Sequence, residues 1–273
     1  MRAAAGEQAR AEAEWLLGGL LKLSRLDLYL SDRPLNAASV RSIHAALQRR
    51  LAGEPTAYIL GSTTFYGRQF AVGPAVLIPR PETERLVDEA AGWLRQRIRG
   101  GRPSPLVADL GTGSGAIAIS LALAVPACAL AAVELSLEAL QVASANIFRH
   151  GLEARVLAIR ADWTESLRGP FDLLISNPPY VRTQELDTLP SDVRHEPRAS
   201  LDGGPDGMRV HRHLLARAPS LLLPGGALIA ECAQDQAEAL AASARTLPWA
   251  RQVRILHDLA GRPRGLMLER ANQ

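Results

Sequence analysis

From residue 106 onward, short apolar runs alternate with helical ones, and this alternation restricts the fold more than any other feature of the chain. LVADL (106–110), ALAAVEL (129–135), ARVLAIR (154–160), FDLLIS (171–176), GALIAECA (226–233), VRILHDL (253–259) and GLMLERA (265–271) read as strands. GTGSGAIAISLAL is a glycine turn running into a helix, and LEALQVASANIFRH, MRVHRHLLARAPSLLL and QAEALAASARTL read as helices. Strands that keep returning through helices build a mostly parallel sheet covered on both faces. Such an α/β sheet binds ligands outside the carboxyl ends of its strands.

The run AIAISLALAVPACALAAV (116–133) approaches the length of a membrane span. Pro126 divides it and Glu134 closes it, so a buried helix followed by a buried strand is expected, with no membrane association. Upstream, residues 1–61 are expected to form a small helical domain, with Asn36 or Ser39 capping its second apolar run. Residues 62–79, with aromatics around Gly67 and Gly73, read as a β-hairpin linker. Residues 80–273 form the sheet domain, entered through a helix with Pro81 in its first turn and Glu82 and Glu84 at its positive end.

Two segments at strand ends carry chemistry. DLGTGSG, Asp109 to Gly115, joins the first sheet strand to its helix, and its glycines let backbone approach a ligand. Gly111, Gly113 and Ala116 satisfy G-x-G-x-x-A, so a nucleotide, a dinucleotide or S-adenosylmethionine all fit. Glu134, about twenty residues downstream, suits ribose hydroxyls. Trp163 follows the third strand and suits either an adenine face or the core.

NPPY, Asn177 to Tyr180, ends the fourth strand on the same edge. Pro178 and Pro179 lack N–H groups and stiffen their predecessors. The Asn177 side-chain oxygen and the Pro178 carbonyl are therefore two acceptors on a rigid frame, matched to an NH2 group. The lone pair of an amide or aryl nitrogen is delocalised. Acceptors set for a tetrahedral nitrogen favour the geometry that frees it, which is binding stronger in the transition state than in the ground state. Tyr180 offers a flat wall against the planar group. The segment thus reads as the acceptor site for an amino group about to be methylated.

With these segments the chain resembles the release factor glutamine methyltransferases, the HemK/PrmC family. AEWLL, EPTAYILG, FYG, LIPRPETE, DLGTGSGAIAI, ADW, SNPPYV and HEPRASLDGGPDGM all resemble family segments, and together they run through nearly the whole chain. NPPY occurs also in amino methyltransferases acting on adenine or guanine; its combination with LIPRPETE and EP…LDGG…DG is more specific. Glu134 stands where the family more often shows Asp, and keeps the charge.

The resemblance implies a Rossmann-like, seven-stranded class I methyltransferase domain after a helical substrate-recognition domain and a hairpin. It implies S-adenosylmethionine as methyl donor, S-adenosylhomocysteine as product, and the glutamine of the Gly-Gly-Gln motif of class-I peptide chain release factors as acceptor. Gly111, Thr112, Gly113, Ser114 and Gly115 would hold the methionine end, Glu134 the ribose and Trp163 the adenine. Asn177 would bridge cofactor and acceptor. Pro178, Pro179 and Tyr180 would shape the acceptor site, and Arg80 and Glu82 would border the cleft or form an ion pair at the helix start. The alternative function is an N6-adenine or N2-guanine methyltransferase acting on nucleic acid.

The net charge of +3 gives that alternative little support, so no stable nucleic-acid partner is expected. Lys22 is the single lysine, which argues against Schiff-base and P-loop chemistry. Cys128 and Cys232 sit in apolar runs without metal spacing, and His211 and His213 are two apart on a helix, pointing to different faces. No metal site is expected. The cysteine usage and the absence of a secretory h-region suggest a cytoplasmic protein, taken as a monomer.

Overall fold

The computed structural model describes residues 2–30, 32 and 34–272. The first part is helical: α1 (Arg2–Leu21), α2 (Arg25–Leu30), α3 (Ala37–Leu51) and α4 (Thr56–Leu60). Asn36, not Ser39, caps α3; its side-chain oxygen accepts from the Ser39 N–H at 2.8 Å. A hairpin follows, β1 (Ser62–Phe65) and β2 (Arg68–Ala71). Its two turn residues, Tyr66 and Gly67, have φ of 50° and 69°, the twist that suits a two-residue hairpin. Tyr66 is held there by α5 (Glu84–Arg99): its N–H donates to Glu84 Oε1 and its hydroxyl to Asp88 Oδ1, both at 2.7 Å.

The remaining elements are β3 (Leu106–Leu110), α6 (Ala116–Ala124), β4 (Ala129–Glu134), α7 (Leu137–Arg149), β5 (Val156–Arg160) and β6 (Phe171–Ser176). After them come α8 (Arg209–Leu221), β7 (Leu222–Glu231), α9 (Ala237–Arg245), β8 (Ala250–His257) and β9 (Pro263–Arg270). Seven strands form one sheet in the order β5-β4-β3-β6-β7-β9-β8, parallel except for β9. One face is covered by α5, α6 and α7 over a core that includes Leu86, Leu94, Ile119, Leu173 and Ile175. The other is covered by α8 and α9 around Leu110, Leu174, Leu214 and Leu240. Burying both faces explains why β3, β4 and β6 are apolar almost throughout. A smaller cluster, including Tyr58, Val76, Ile78 and Ala139, joins α4 and the post-hairpin strap to α7.

The strand order reverses at β3, which has β4 on one side and β6 on the other. Asp109 pairs with Ile175 in register, and the Ser176 hydroxyl donates to the Leu110 carbonyl at 2.6 Å. The glycine turn and NPPY therefore leave the sheet side by side at a switch point, where doubly wound sheets open a crevice.

One boundary differs from the sequence reading, which continues helix through Leu223 and starts the next strand at Gly226. The structure ends α8 at Leu221, with Pro219 in its last turn, and Leu222 is already extended at φ −86°, ψ 145°. Pro219 has no N–H to continue the helical ladder, and the chain passes directly into β7. Between β6 and α8 a long segment runs through short 3₁₀ turns at Thr183–Thr188, Val193–His195 and Arg198–Ser200.

Candidate functional site

The glycine turn is fixed from below by Asp109. This buried carboxylate accepts from the Thr112 hydroxyl at 2.6 Å and from the Ala118 N–H at 3.1 Å, tying the turn to the start of α6. Burial pushes its pKa up to about 7, with the Glu134 charge adding to the rise. Gly111 has φ 74°, and a Cβ there would lie 3.0 Å from the Trp163 ring. Only glycine suits that backbone and that contact. Gly115, at φ 81°, faces Ile119 and Ala143 instead, so it serves the packing of α6 against α7.

Glu134 ends β4 and turns back to the glycine turn. Its Oε2 accepts from Gly113 N–H at 2.9 Å, and Oε1 from the N–H groups of Leu135 and Ser136 at 2.9 and 3.1 Å. Three N–H donors leave a two-oxygen carboxylate with spare acceptor capacity. Trp163, at φ 47°, lies half-buried over Gly111. A cavity of about 840 Å³ opens here, lined by Gly111, Thr112, Gly113, Ser114, Glu134, Trp163, Asn177 and Pro179. Val76, Leu77, Pro79 and Thr83 close one side, and residues 197–200 with Asp202 and Arg209 another.

Asn177 lines this cavity. Its Nδ2 donates to Thr83 Oγ1 at 3.1 Å, and its side-chain oxygen has no hydrogen-bond partner among the described residues. The Pro178 carbonyl likewise accepts nothing from them. Thr83 donates to Glu231 Oε2 at 2.6 Å, and the Tyr180 hydroxyl donates to Glu231 Oε1 at 3.1 Å. Burial, with Glu231 alongside, raises the Tyr180 pKa well above the usual phenol value, keeping it a neutral donor. Gly115, Pro178 and Tyr180 are not part of the cavity wall, which bounds the other expected residues.

LIPRPETE and HEPRASLDGGPDGM meet around NPPY. Glu196, buried, accepts from Ile78 N–H at 2.9 Å and pairs with Arg80. Arg80 therefore makes an ion pair with Glu196 rather than with Glu82, and neither Arg80 nor Glu82 lines the cavity. A Cβ on Gly203 would lie 2.7 Å from Tyr180 Cα, and one on Gly207 2.3 Å from the Tyr180 carbonyl oxygen. These glycines let the long segment cross the NPPY backbone, where Gly203 N–H donates to the Val181 carbonyl at 2.8 Å.

Sequence reasoning assigns no role to Thr83, Asp109, Glu196 or Glu231. For Glu231 a signal exists: it is an acid inside an otherwise apolar strand. His211 and His213 face apart, His211 donating from Nε2 to the Glu231 carbonyl at 2.7 Å and His213 lying 2.9 Å from the Thr164 hydroxyl. Among the described residues no cluster of His, Cys, Asp or Glu is arranged to hold a metal ion, and no helix is long and apolar enough to cross a membrane.

Residues 1–61 match the model of the PrmC N-terminal domain, and residues 83–195 that of the methyltransferase small domain. A release factor glutamine methyltransferase of Moorella thermoacetica is 42% identical over 276 residues, covering 100% of this chain and 96% of that protein. Another, of Bordetella pertussis, is 44% identical over 258 residues and covers 92% of each. Among solved structures, a methyltransferase from Pyrococcus furiosus superposes with a TM-score of 0.55 at 17% identity, over 85% of this chain and 99% of that one. The hMettl16 catalytic domain, solved with a 3′UTR hairpin, gives 0.58 at 15% identity, over 87% and 83%. At these identities the structural likeness speaks for the fold, that of class I methyltransferases.

Proposed function

The chain belongs to the release factor glutamine methyltransferase family, and on that premise we propose that it methylates the side-chain amide nitrogen of the glutamine in the Gly-Gly-Gln motif of class-I peptide chain release factors. The products are N5-methylglutamine and S-adenosylhomocysteine. The polarity of the Asn177 amide carries this reading: its NH2 is spent on Thr83, which leaves its oxygen as a free acceptor on the cavity wall.

The residues present fit S-adenosylmethionine. Gly111, Thr112, Gly113 and Ser114 of the glycine turn would take the methionine end, Glu134 the ribose hydroxyls with its spare acceptor capacity, and Trp163 the adenine face. Bound there, the cofactor supplies an electrophilic methyl group on a sulfonium. Asn177 Oδ1 and the Pro178 carbonyl accept the two N–H bonds of the glutamine amide and favour a pyramidal nitrogen, whose lone pair is then available. Pro179 and Tyr180 keep that frame stiff, Tyr180 through its bond to Glu231. The methylated nitrogen sheds its proton to solvent, so no side chain is needed as a general base. The helical domain receives the release factor. Two free, buried cysteines support a cytoplasmic setting, and a monomer suffices for a cavity built within one chain.

Mass spectrometry of a purified release factor incubated with the protein and S-adenosylmethionine tests the reading. One added methyl group on the Gly-Gly-Gln glutamine is expected. Transfer to an oligonucleotide but not to release factor overturns the proposed acceptor.

A further inference from the structure

Behind Asn177, side chains from separate parts of the chain form a directed chain of hydrogen bonds. Glu231, fully buried at the end of β7, accepts from Thr83 Oγ1 at 2.6 Å and from the Tyr180 hydroxyl at 3.1 Å. An ionised carboxylate only accepts, and a threonine hydroxyl carries one proton. With that proton committed to Glu231, Thr83 can offer Asn177 only a lone pair. The amide must then turn Nδ2 toward Thr83, as observed at 3.1 Å, and its oxygen away.

We propose that Glu231 and Thr83 are positioning residues that set the polarity of the Asn177 amide, holding its oxygen rather than its NH2 toward the acceptor nitrogen. The inference deepens the function proposed above and rests on it. The two ends of an amide are nearly equal in size, so packing alone does not choose between them. A flipped Asn177 would set an NH2 against the NH2 of the glutamine, two donors with no acceptor between them.

The relay has a protonation sense. Burial raises the Glu231 pKa to about 7; the Thr83 and Tyr180 hydroxyls and Arg264 hold it down, and Glu82 pushes it up. His211 donates to the backbone carbonyl of Glu231, and the neighbouring Cys232 stays a neutral thiol. A protonated Glu231 would donate to Thr83, free the threonine proton for Asn177 Oδ1, and reverse the amide. Activity should therefore fall as pH drops through about 7. The side-chain amide introduced by Glu231→Gln can keep its oxygen toward Thr83 and its NH2 toward the Tyr180 oxygen, without titrating.

The experiment measures kcat for release factor methylation from pH 6 to 8, the S-adenosylmethionine Kd by calorimetry, and Tm, for the wild type and for Thr83→Val, Thr83→Ser and Glu231→Gln. Thr83→Val should lower kcat about tenfold, the worth of one hydrogen bond, with the cofactor Kd within about twofold. Thr83→Ser should restore kcat. In the wild type kcat at pH 8 should exceed that at pH 6 about tenfold, and Glu231→Gln should flatten the profile. A folded Thr83→Val protein with wild-type kcat overturns the relay, as does a Glu231→Gln protein that keeps the acid limb, since the titrating group is then another, such as Asp109. If the wild type transfers nothing to release factor while binding S-adenosylmethionine, the proposed acceptor fails first and the relay with it.

Discussion

Asn146 ties the hairpin to the glycine turn, and removing its side chain should weaken both. It is fully buried in α7. Its oxygen accepts from Ala71 N–H at 2.8 Å, and its NH2 donates to the carbonyls of Ala71 at 3.0 Å and Ser114 at 2.8 Å. Asn146→Ala leaves three backbone groups without those partners. An unpaired buried group costs about 1–3 kcal/mol. Ser114 is buried and bears that cost in full, whereas Ala71 is half-buried and water recovers part of it. Better helix propensity of alanine returns about 0.5 kcal/mol. The net expectation is a loss of about 2–3 kcal/mol, or roughly 3–5 °C in Tm at this chain length. Asn146→Asp separates hydrogen bonding from packing. It preserves shape but faces two carbonyls with a carboxylate that cannot donate, so it should be less stable than Asn146→Ala. Urea titration of the three proteins measures this. An Asn146→Ala protein within about 0.5 kcal/mol of wild type, or an aspartate variant as stable as wild type, would refute the proposed tie.

The Asn177→Ala protein should bind S-adenosylmethionine in calorimetry yet methylate release factor at least about a hundredfold more slowly, the scale of losing a transition-state contact; substantial turnover by the folded variant would remove Asn177 from the mechanism. Gly111→Ala combines a left-handed φ of 74° with a Cβ 3.0 Å from Trp163. It should weaken cofactor binding about tenfold or more by tilting the indole, read out by calorimetry and by tryptophan fluorescence. Asp109 and Glu231 each have a folded pKa raised to about 7 by burial, against roughly 4 in an unfolded chain. Their contribution to stability is full below about pH 4 and lost as pH rises through about 7. Urea titrations across that window should show a smaller decline with pH for Glu231→Gln than for wild type, and an equal decline would contradict the assignment. Asp172 is buried at the far end of the sheet, where it accepts from Leu106 N–H at 2.8 Å and Arg102 Nε at 2.9 Å. Asp172→Ala should cost about 2–3 kcal/mol, discounted because its arginines are partly exposed, while leaving the cofactor Kd unchanged.

The layout of the molecule was legible because it rests on local rules. Strand and helix periodicity, Pro126 between α6 and β4, and the glycines after β3 each act within a few residues, and alternation implies a parallel sheet almost regardless of detail. The motif positions followed as well, since β3 and β6 had to end on one edge. A cap before α3 and a hairpin near Gly67 are equally local, although the sequence left Asn36 and Ser39 as alternative caps and did not place the turn at Tyr66 and Gly67. What only the tertiary structure decided is which groups touch. Glu231 is 148 residues from Thr83 and Glu196 is 116 from Arg80, and no periodicity encodes a hydrogen bond across such a distance. The same is true of Gly203 and Gly207, which are glycines because the Tyr180 backbone passes against them. Composition and spacing placed Asn177 at the edge of the sheet. The direction in which its amide points follows from a proton on Thr83, and that proton is oriented by a carboxylate brought in from another strand.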